Sequence, residues 1–370
     1  MQCDEGRPRC SFCIKRGIAC NYGAKPESAH AREVGGTPPH VALASTPRGL
    51  WPGARSPLVL TETAGGSHTE FDLYLLDHFL QTTAWSFGLK SHSQIYATQV
   101  LPLAQEFPFL MHALIALSAC HLQYLGVETK EYRIAETLHC NHASYGLRNS
   151  ISSIEGAKKS DSVLTAAMLL NALTFCLAAH RDEMPSLASA DQQPRYDWLR
   201  IQIGMTGLLT KTSPFHPDSI WLFVFSATHA FEYDDPPESD LDARIAEFCG
   251  VDETSTSENN VYFDLVERLG PVVIRPPGEK YMAIYLYAVG GISTKIVDFL
   301  EAKDTKALLL WAHWLGMMCS VDLWWAVRRT RRECWMVCAI LAKQLEPSSL
   351  NLLRRPAAAC GFPINARLVE

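Results

Sequence analysis

The chain has 370 residues, of which 48% are hydrophobic and 19% are charged, and its formal net charge is −6. This composition excludes wholesale disorder, a collagen-like rod and a uniformly basic nucleic-acid coat protein. The charge is uneven, because residues 1–70 hold eight Lys or Arg against six Asp or Glu, and the remainder carries a net charge of −8. A locally basic amino-terminal segment therefore precedes an acidic body.

The cysteines and apolar stretches indicate the cellular compartment. Four of the twelve cysteines fall within residues 1–20, and the other eight are scattered through apolar segments. The chain is too long and too apolar for a small secreted disulfide scaffold, and its first 25 residues lack the apolar stretch of a signal peptide. The segment from Val163 to Ala179 is shorter than the roughly 20 residues of a membrane span. We expect a soluble intracellular protein with reduced thiols.

Residues 1–22 form a cysteine-rich head with the pattern Cys-x6-Cys-x2-Cys-x6-Cys. Thiolates at this spacing favour tetrahedral Zn²⁺, and so short a segment folds only if metal binding supplies the free energy. The alternative is a chance cluster of reduced thiols in a disordered terminus. The expected zinc ligands are Cys3, Cys10, Cys13 and Cys20. The basic residues between them, which we expect to contact DNA phosphates, are Arg7, Arg9, Lys15 and Arg16.

The head resembles the second half of the fungal zinc binuclear cluster, a module with six cysteines and two zinc ions. The resemblance rests on Cys3-Asp-Glu, Arg7-Pro-x-Cys, the Cys-x2-Cys pair and Cys20-x-Tyr. It implies that the four cysteines are the third to sixth ligands, with Cys10 bridging, and that a short helix enters the DNA major groove. It also implies promoter DNA and the transcription machinery as partners, and a nuclear location with shuttling from the cytoplasm as one variant.

The head also departs from that family. The family motif has a Cys-x2-Cys and a basic run before its third cysteine, whereas only Met1 and Gln2 precede Cys3 here. Our hypothesis is that Met1 is an internal methionine of a longer protein, or that the chain is a truncated isoform or gene model. The four thiolates present would then hold one zinc, and sequence-specific DNA binding would be weak.

Residues 23–69 are rich in Pro and Gly, which predicts a disordered linker. A capping box at Ser67–Glu70 opens a helical regulatory domain over residues 70–346, followed by a C-terminal tail at 347–370. Apolar residues at helical spacing and the scarcity of strand patterns predict an all-α fold, with an incomplete zinc-cluster head attached. The first predicted helix spans 71–79. The later predicted helices span 109–125, 128–152, 161–180, 194–211, 218–232, 240–249, 258–269, 280–301, 303–327 and 331–346.

The body resembles the regulatory region of fungal sterol uptake control proteins at residues 71–79, 109–121 and 312–319 and at Trp324-Trp325. The resemblance implies a helical ligand-sensing and activation domain, and some members bind a sterol in an apolar pocket. From the residues themselves, the aromatic and Met-rich C-terminal half lines an apolar cavity or only packs helices together. Its members are Trp221, Phe223, Phe225, Tyr281, Met282, Tyr285, Tyr287, Trp311, Trp314, Met317, Met318, Trp324, Trp325, Trp335 and Met336. Gly290-Gly291 would allow close packing or leave room for a ligand; no ligand-binding residue is assigned from the sequence.

Two other motifs leave alternatives open. The basic run from Arg328 to Arg332 is a nuclear import signal, a phosphate-contacting patch or a solvated helix junction whose arginines complement a helix C-terminus. His139, Cys140 and His142 are ordinary helix residues in our interpretation. Because a nucleophile elbow, a phosphate loop, a dinucleotide fingerprint and paired metal-binding histidines are all missing, the sequence predicts a protein that is not an enzyme.

The leading functional hypothesis is a zinc-dependent, sequence-specific DNA-binding transcription regulator of RNA polymerase II genes, controlling sterol-related or secondary-metabolite genes. A sterol or other apolar ligand and a homodimer formed through the body are the further expected partners. The alternative is a truncated regulator that does not bind DNA and acts through its helical body. A third hypothesis is an intracellular lipid-binding protein or enzyme with an incidental cysteine-rich terminus.

Overall fold

The helical body is built from α-helices with short π-helical and 3-10 segments, and the residues that the structure describes contain no β-strand. The structure is a computed structural model that describes residues 69–127, 129–177, 196–229, 233 and 237–364. The predicted all-α class is confirmed for these residues. The helices are α1 Glu70–His78, α2 Ala84–Ser86, α3 Lys90–Ile95, α4 Leu101–Glu106, α5 Pro108–Tyr124, α6 Lys130–Ser150, α7 Gly156–Leu177, α8 Asp197–Thr212, α9 Leu222–His229, α10 Leu241–Cys249, α11 Phe263–Val273, α12 Met282–Gly290, α13 Thr294–Glu301, α14 Thr305–Met318, α15 Val327–Gln344 and α16 Arg354–Cys360.

Helix α1 begins with a reciprocal capping box formed by Thr69 and Asp72. The Thr69 hydroxyl accepts from the Asp72 backbone N–H at 3.1 Å, and the Asp72 carboxylate accepts from the Thr69 backbone N–H at 3.0 Å. The sequence placed the box two residues earlier, at Ser67–Glu70. The Asp72 carboxylate also lies 3.2 Å from His139 Nε2, and this second partner favours the observed register.

The first core is formed by helices α1 to α7 around the buried helix α5. Helix α5 is apolar on all sides, which is typical of a helix surrounded by protein. Its small residues Ala113, Ala116 and Ala119 are fully buried and allow neighbouring helices to approach closely. Gly146 on α6 faces Phe109 so closely that a β-carbon at this position would overlap that side chain.

The second core is formed by helices α10 to α16 around the buried helix α14. Trp311 and Trp314 of α14 stack with their ring centroids 4.6 Å apart. The segment that the sequence set apart as a tail begins with a 3-10 turn, Pro347–Leu353, and continues into α16. Leu353 is fully buried and Phe362 is 9% exposed, so the described helical body extends to residue 362.

Two of the predicted helices are broken in the structure. The predicted helix 280–301 ends at Gly290 and resumes at Thr294 after a bend of 92°. The predicted helix 303–327 ends at Met318, and α15 begins at Val327. The basic run from Arg328 to Arg332 consequently lies in the first turns of α15. The alternative that placed this run at a junction between two helices is therefore wrong.

No described helix alone has the length and hydrophobicity needed to cross a bilayer. The segments Glu279–Gly290 and Thr294–Glu301 reach that length and hydrophobicity only together, across their 92° bend.

Candidate ligand-binding cavity

A cavity of about 700 Å³ lies where the first core meets the second. Its walls come from the segment 87–96 and from helices α7, α8, α9, α12 and α14. Small-molecule sites in proteins occupy roughly 300–1,000 Å³, so this volume is sufficient for a ligand of drug or lipid size. Phe215 and Tyr287 at its edge are 48% and 50% exposed, which indicates that the cavity is open to solvent there.

Aromatic rings in contact with one another form most of the wall. Tyr96 lies 5.3 Å from Trp221 between ring centroids. Trp198 of α8 contacts Phe175 of α7 edge to face at 4.5 Å and stacks on Trp314 of α14 at 5.8 Å. Such pairs contribute about 0.5–1.5 kcal/mol each beyond their area burial, so the wall keeps its shape without a ligand.

The polar groups of the cavity are concentrated on one strip. Gln202 and Thr206 lie one helical turn apart on α8, where residues i and i+4 share a face. The Asn171 amide of α7 donates to the Gln202 side-chain oxygen, and the Thr206 hydroxyl donates to the Gly290 carbonyl. We call Asn171, Gln202 and Thr206 the polar strip.

Two buried polar atoms near this strip have no hydrogen-bond partner among the described residues. They are the indole nitrogen of Trp198 and the side-chain oxygen of Asn171, and both residues line the cavity. A buried donor or acceptor without a partner costs about 1–3 kcal/mol. The site thus combines apolar walls with a short polar strip.

Charged groups are scarce in the lining. Arg268 lies at the edge, where its guanidinium donates to the Tyr287 carbonyl at 3.2 Å and stacks over the Tyr287 ring at 4.9 Å. Gly291 faces that guanidinium, and a β-carbon there would overlap it. His92 is also in the wall, and burial lowers its pKa, which favours the neutral imidazole. The cavity is therefore suited to an uncharged ligand.

Both interpretations of the aromatic and Met-rich residues hold, for different members. Those that line the cavity are Trp221, Phe225, Met282, Tyr287, Trp314, Met318 and Trp325. Those that pack only within the cores are Tyr281, Tyr285, Trp311, Met317, Trp324, Trp335 and Met336. Phe223 is 69% exposed. Gly290-Gly291 ends a helix at the cavity wall, and Gly291 packs closely against the Arg268 guanidinium; room for a ligand at this point stays a prediction.

The half of the cavity that comes from earlier in the chain was not predicted from the sequence. It includes Phe87, His92, Tyr96, Leu164, Met168, Asn171, Phe175, Trp198, Gln202 and Met205. Helical spacing carried a usable signal on α7, because Met168, Asn171 and Phe175 recur at i, i+3 and i+7. The segment 87–96 carried no such signal, because its contact with Trp325 joins residues more than 200 positions apart and local spacing does not record it.

The predicted head lies outside the described residues. This applies to the expected zinc ligands and to the expected DNA contacts, which all fall within residues 1–22. The predicted linker, residues 23–69, lies outside them as well except for Thr69. His139 and His142, which we interpreted as ordinary helix residues, contact the His112 ring on α5 at centroid distances of 5.0 and 4.9 Å.

Comparison with known proteins finds that this helical body is similar to fungal regulators. Residues 74–186 match the family described as Fungal specific transcription factor domain, and they include most of the first core and the α7 wall of the cavity. The matches support a fungal transcription regulator. They point to a transcription factor and away from an enzyme.

A curated relative indicates the type of regulator. The chain is 29% identical over 234 residues to the Zn(2)-C6 fungal-type transcription factor afumD of Aspergillus fumigatus (strain CBS 144.89 / FGSC A1163 / CEA10). The match covers 60% of this chain and 56% of that protein, so the chain spans little more than half of the relative's length. The similarity supports a regulator of the fungal zinc-cluster type.

Proposed function

We propose that this chain is a zinc-dependent, sequence-specific DNA-binding regulator of RNA polymerase II genes whose helical body senses an apolar ligand. The observation that carries the proposal is the cavity of about 700 Å³, whose α7 wall belongs to the segment matching the fungal transcription factor domain.

The cysteine head supplies DNA binding in this proposal. Zinc held by Cys3, Cys10, Cys13 and Cys20 would fix a segment too small to fold by apolar burial. The basic residues between the ligands would then contact phosphates of promoter DNA. The proposal includes a nuclear location, contact with the transcription machinery and a homodimer formed through the body. The spacing of the cysteines and the name of the curated relative support this part.

The cavity supplies ligand sensing. Its aromatic and aliphatic walls suit a rigid apolar molecule, and its polar strip suits a single hydroxyl or carbonyl on that molecule. A sterol has this combination, so we propose a sterol or a similar apolar metabolite as the ligand. The genes controlled would be sterol-related or secondary-metabolite genes.

DNA binding is tested by mobility shift of the full chain on promoter fragments. A weak specific band should appear, fade further as salt rises, and disappear in the variant Cys10→Ser/Cys13→Ser. Cys249→Ser is the matched control, because Cys249 is a buried cysteine in α10, far along the chain from the head. A band that persists in the head variant would contradict zinc-dependent recognition.

Ligand binding is tested with dehydroergosterol, a fluorescent sterol that accepts energy from nearby tryptophans. Energy transfer from the full chain should saturate at one sterol per chain. Ala172→Phe should abolish it, since Ala172 lines the cavity and the added ring occupies the space. Ile201→Phe, on the exposed side of α8, should leave it unchanged.

The two assays together separate the functional alternatives. Sterol binding without a DNA complex would replace the proposal with the regulator that acts only through its helical body. DNA binding without energy transfer to the sterol would support the proposed zinc head and contradict the proposed ligand. The absence of both would refute the proposal.

A further inference from the structure

Four cysteines from separate parts of the second core converge at the ends of α14 and α16. Cys319 follows the last residue of α14, Cys334 and Cys338 lie on α15, and Cys360 is the last residue of α16. Cys334 and Cys338 are fully buried, and Cys319 and Cys360 are 8% and 7% exposed. We call these four residues the C-terminal cysteine cluster.

The geometry of three sulfurs in this cluster is close to that of a metal site. Cys334 and Cys338 are one turn apart on α15, so both thiols project from one face, as paired ligands on a helix do. The sulfurs of Cys334, Cys338 and Cys360 all lie within 4.8 Å of one another. In a zinc thiolate site with Zn–S near 2.3 Å, sulfurs are roughly 3.8 Å apart, so a contraction of at most about 1 Å completes the site.

A fourth cysteine neighbours the group of three. The Cys319 thiol interacts with Cys334, although its sulfur is not among the three that lie within 4.8 Å of one another. Gly361, with a φ of +74°, turns the chain after Cys360. The backbone N–H of Phe362 donates to the Ala357 carbonyl at 2.9 Å, and the Cys360 thiol donates to the same carbonyl at 3.6 Å. Two ligands lie on one rigid helix, and the other two lie at helix ends, where small movements cost little.

The chemistry of the donor set selects the ion. The group contains sulfur only, with no carboxylate or imidazole from the described residues, which excludes hard cations such as Ca²⁺ and Mg²⁺. Sulfur donors in a buried, water-poor site favour thiophilic d¹⁰ ions. We propose that Cys334, Cys338 and Cys360, with Cys319 as the fourth ligand, bind one thiophilic metal ion, Zn²⁺ or Cu⁺, in the second core.

Metal binding would connect α16 to the cavity wall. Cys319 directly follows Met318, which lines the cavity, and Cys360 anchors α16. The metal would hold α14, α15 and α16 together through four bonds, in place of weak thiol contacts such as the 3.4 Å bond from Cys334 to the Pro356 carbonyl. This site is independent of the zinc head, and it would stabilise the wall against which a ligand packs.

The test measures metal content in a chain whose head cannot bind metal. The starting protein is the full chain with Cys3, Cys10, Cys13 and Cys20 changed to Ser. After expression in medium supplemented with zinc, elemental mass spectrometry should find one zinc or copper per chain, and the identity of the metal distinguishes the two ions. X-ray absorption should show sulfur ligands only. Cobalt substitution should produce thiolate charge-transfer absorption if the site takes a divalent ion.

Two variants in the same background assign the metal to the cluster. Cys360→Ser, at the end of α16, should reduce the metal content at least tenfold, whereas Cys249→Ser, at another buried cysteine, should leave one metal per chain. Circular dichroism checks that both variants remain helical. Chelation should lower the melting temperature of the parent and leave that of Cys360→Ser unchanged. A metal-free parent with four free thiols, or a disulfide within the cluster, would overturn the proposal. Because the head is disabled throughout, neither result bears on the proposed DNA binding.

Discussion

The indole N–H of Trp325 donates to the backbone carbonyl of Phe87 at 2.8 Å, across 238 positions of the chain. The two rings also lie 5.8 Å apart, and both residues line the cavity. Phe87 belongs to the first core, and Trp325 is partly buried against both cores. This contact therefore fixes one edge of the cavity by joining segments that are distant in sequence.

Trp325→Phe should destabilise the protein by about 1–2 kcal/mol, because it leaves the Phe87 carbonyl without this donor while keeping most of the ring contact. Urea unfolding followed by circular dichroism measures the change. Trp85→Phe is the matched control: its indole also donates to a backbone carbonyl, that of Leu80 at 3.0 Å, but Trp85 is 53% exposed and water can replace the bond. Equal losses in the two variants would contradict the buried role of the Trp325 bond.

Gly316 should be intolerant of a larger side chain, since a β-carbon there would lie 2.9 Å from the Pro356 Cα, a backbone atom that cannot move aside. Gly316→Ala should therefore separate α14 from α16 and cost about 1–3 kcal/mol. Gly204→Ala is the control inside α8, where no described atom lies within 4 Å of the added carbon. It should stabilise the protein by about 0.5–1 kcal/mol through helix propensity. Thermal melts of the two variants should shift in opposite directions.

Sequence periodicity predicted most of the longer helices, but not α2, α3, α4 and α16, nor where two of the predicted helices break. The helices α6 and α10 fall within one or two residues of the predictions 128–152 and 240–249. The break after Met318 was missed because the apolar pattern continues through Val321 and Leu323, which are buried although they lie outside a helix. The spacing of apolar residues indicates which residues are buried, and a buried segment need not be helical.

The cavity shows a second limit of sequence reasoning. The aromatic residues of the C-terminal half were found because they are concentrated in sequence, and seven of the residues singled out there do line the cavity. Their partners around Tyr96 and Trp198 come from elsewhere in the chain, so only the tertiary structure brings them together. The same holds for the C-terminal cysteine cluster, whose members looked like isolated buried thiols in the sequence.

Stability should fall as the pH is lowered from about 6.5 to about 4. Burial lowers the pKa of His121 to about 4, and the neighbouring His78 acts in the same direction; burial also lowers the pKa of His313 to about 4. Unfolded histidine has its ordinary value near 6.5, so between these limits the unfolded chain binds more protons and is favoured by acid. A difference of one in pKa corresponds to about 1.4 kcal/mol, so we expect His121 and His313 together to reduce stability by several kcal/mol over this range. Urea unfolding at stepped pH measures the loss.

His121→Asn tests the assignment of this pH dependence. Asparagine can keep a bond to the Thr83 hydroxyl, which lies 2.9 Å from His121 Nδ1, but it does not titrate. The slope of unfolding free energy against pH should become shallower between pH 6.5 and 4, while the stability at pH 8 changes less. An unchanged slope would show that other groups carry the acid sensitivity.

The basic run at the start of α15 contains a buried arginine with a structural role. Arg329 donates to the Glu333 carboxylate at 2.7 Å and to the Phe175 carbonyl near the end of α7 at 3.0 Å. The arginine thus complements a helix C-terminus, as one interpretation of the sequence expected, but from within a helix. Burial raises the pKa of Glu333, and the charge of Arg329 opposes that rise.

Arg329→Met should cost about 3–5 kcal/mol, because it leaves a buried carboxylate and a helix end without their cationic partner. Arg329→Met/Glu333→Leu should recover much of that loss, since both charges of the pair are then absent from the core. Arg200→Met is the exposed control: Arg200 lies 3.0 Å from Glu301 at the surface, and its loss should cost less than about 1 kcal/mol. The measurement is the free energy of unfolding of all three variants in urea. A double variant no more stable than Arg329→Met would show that the arginine acts through the α7 carbonyls and not through the ion pair.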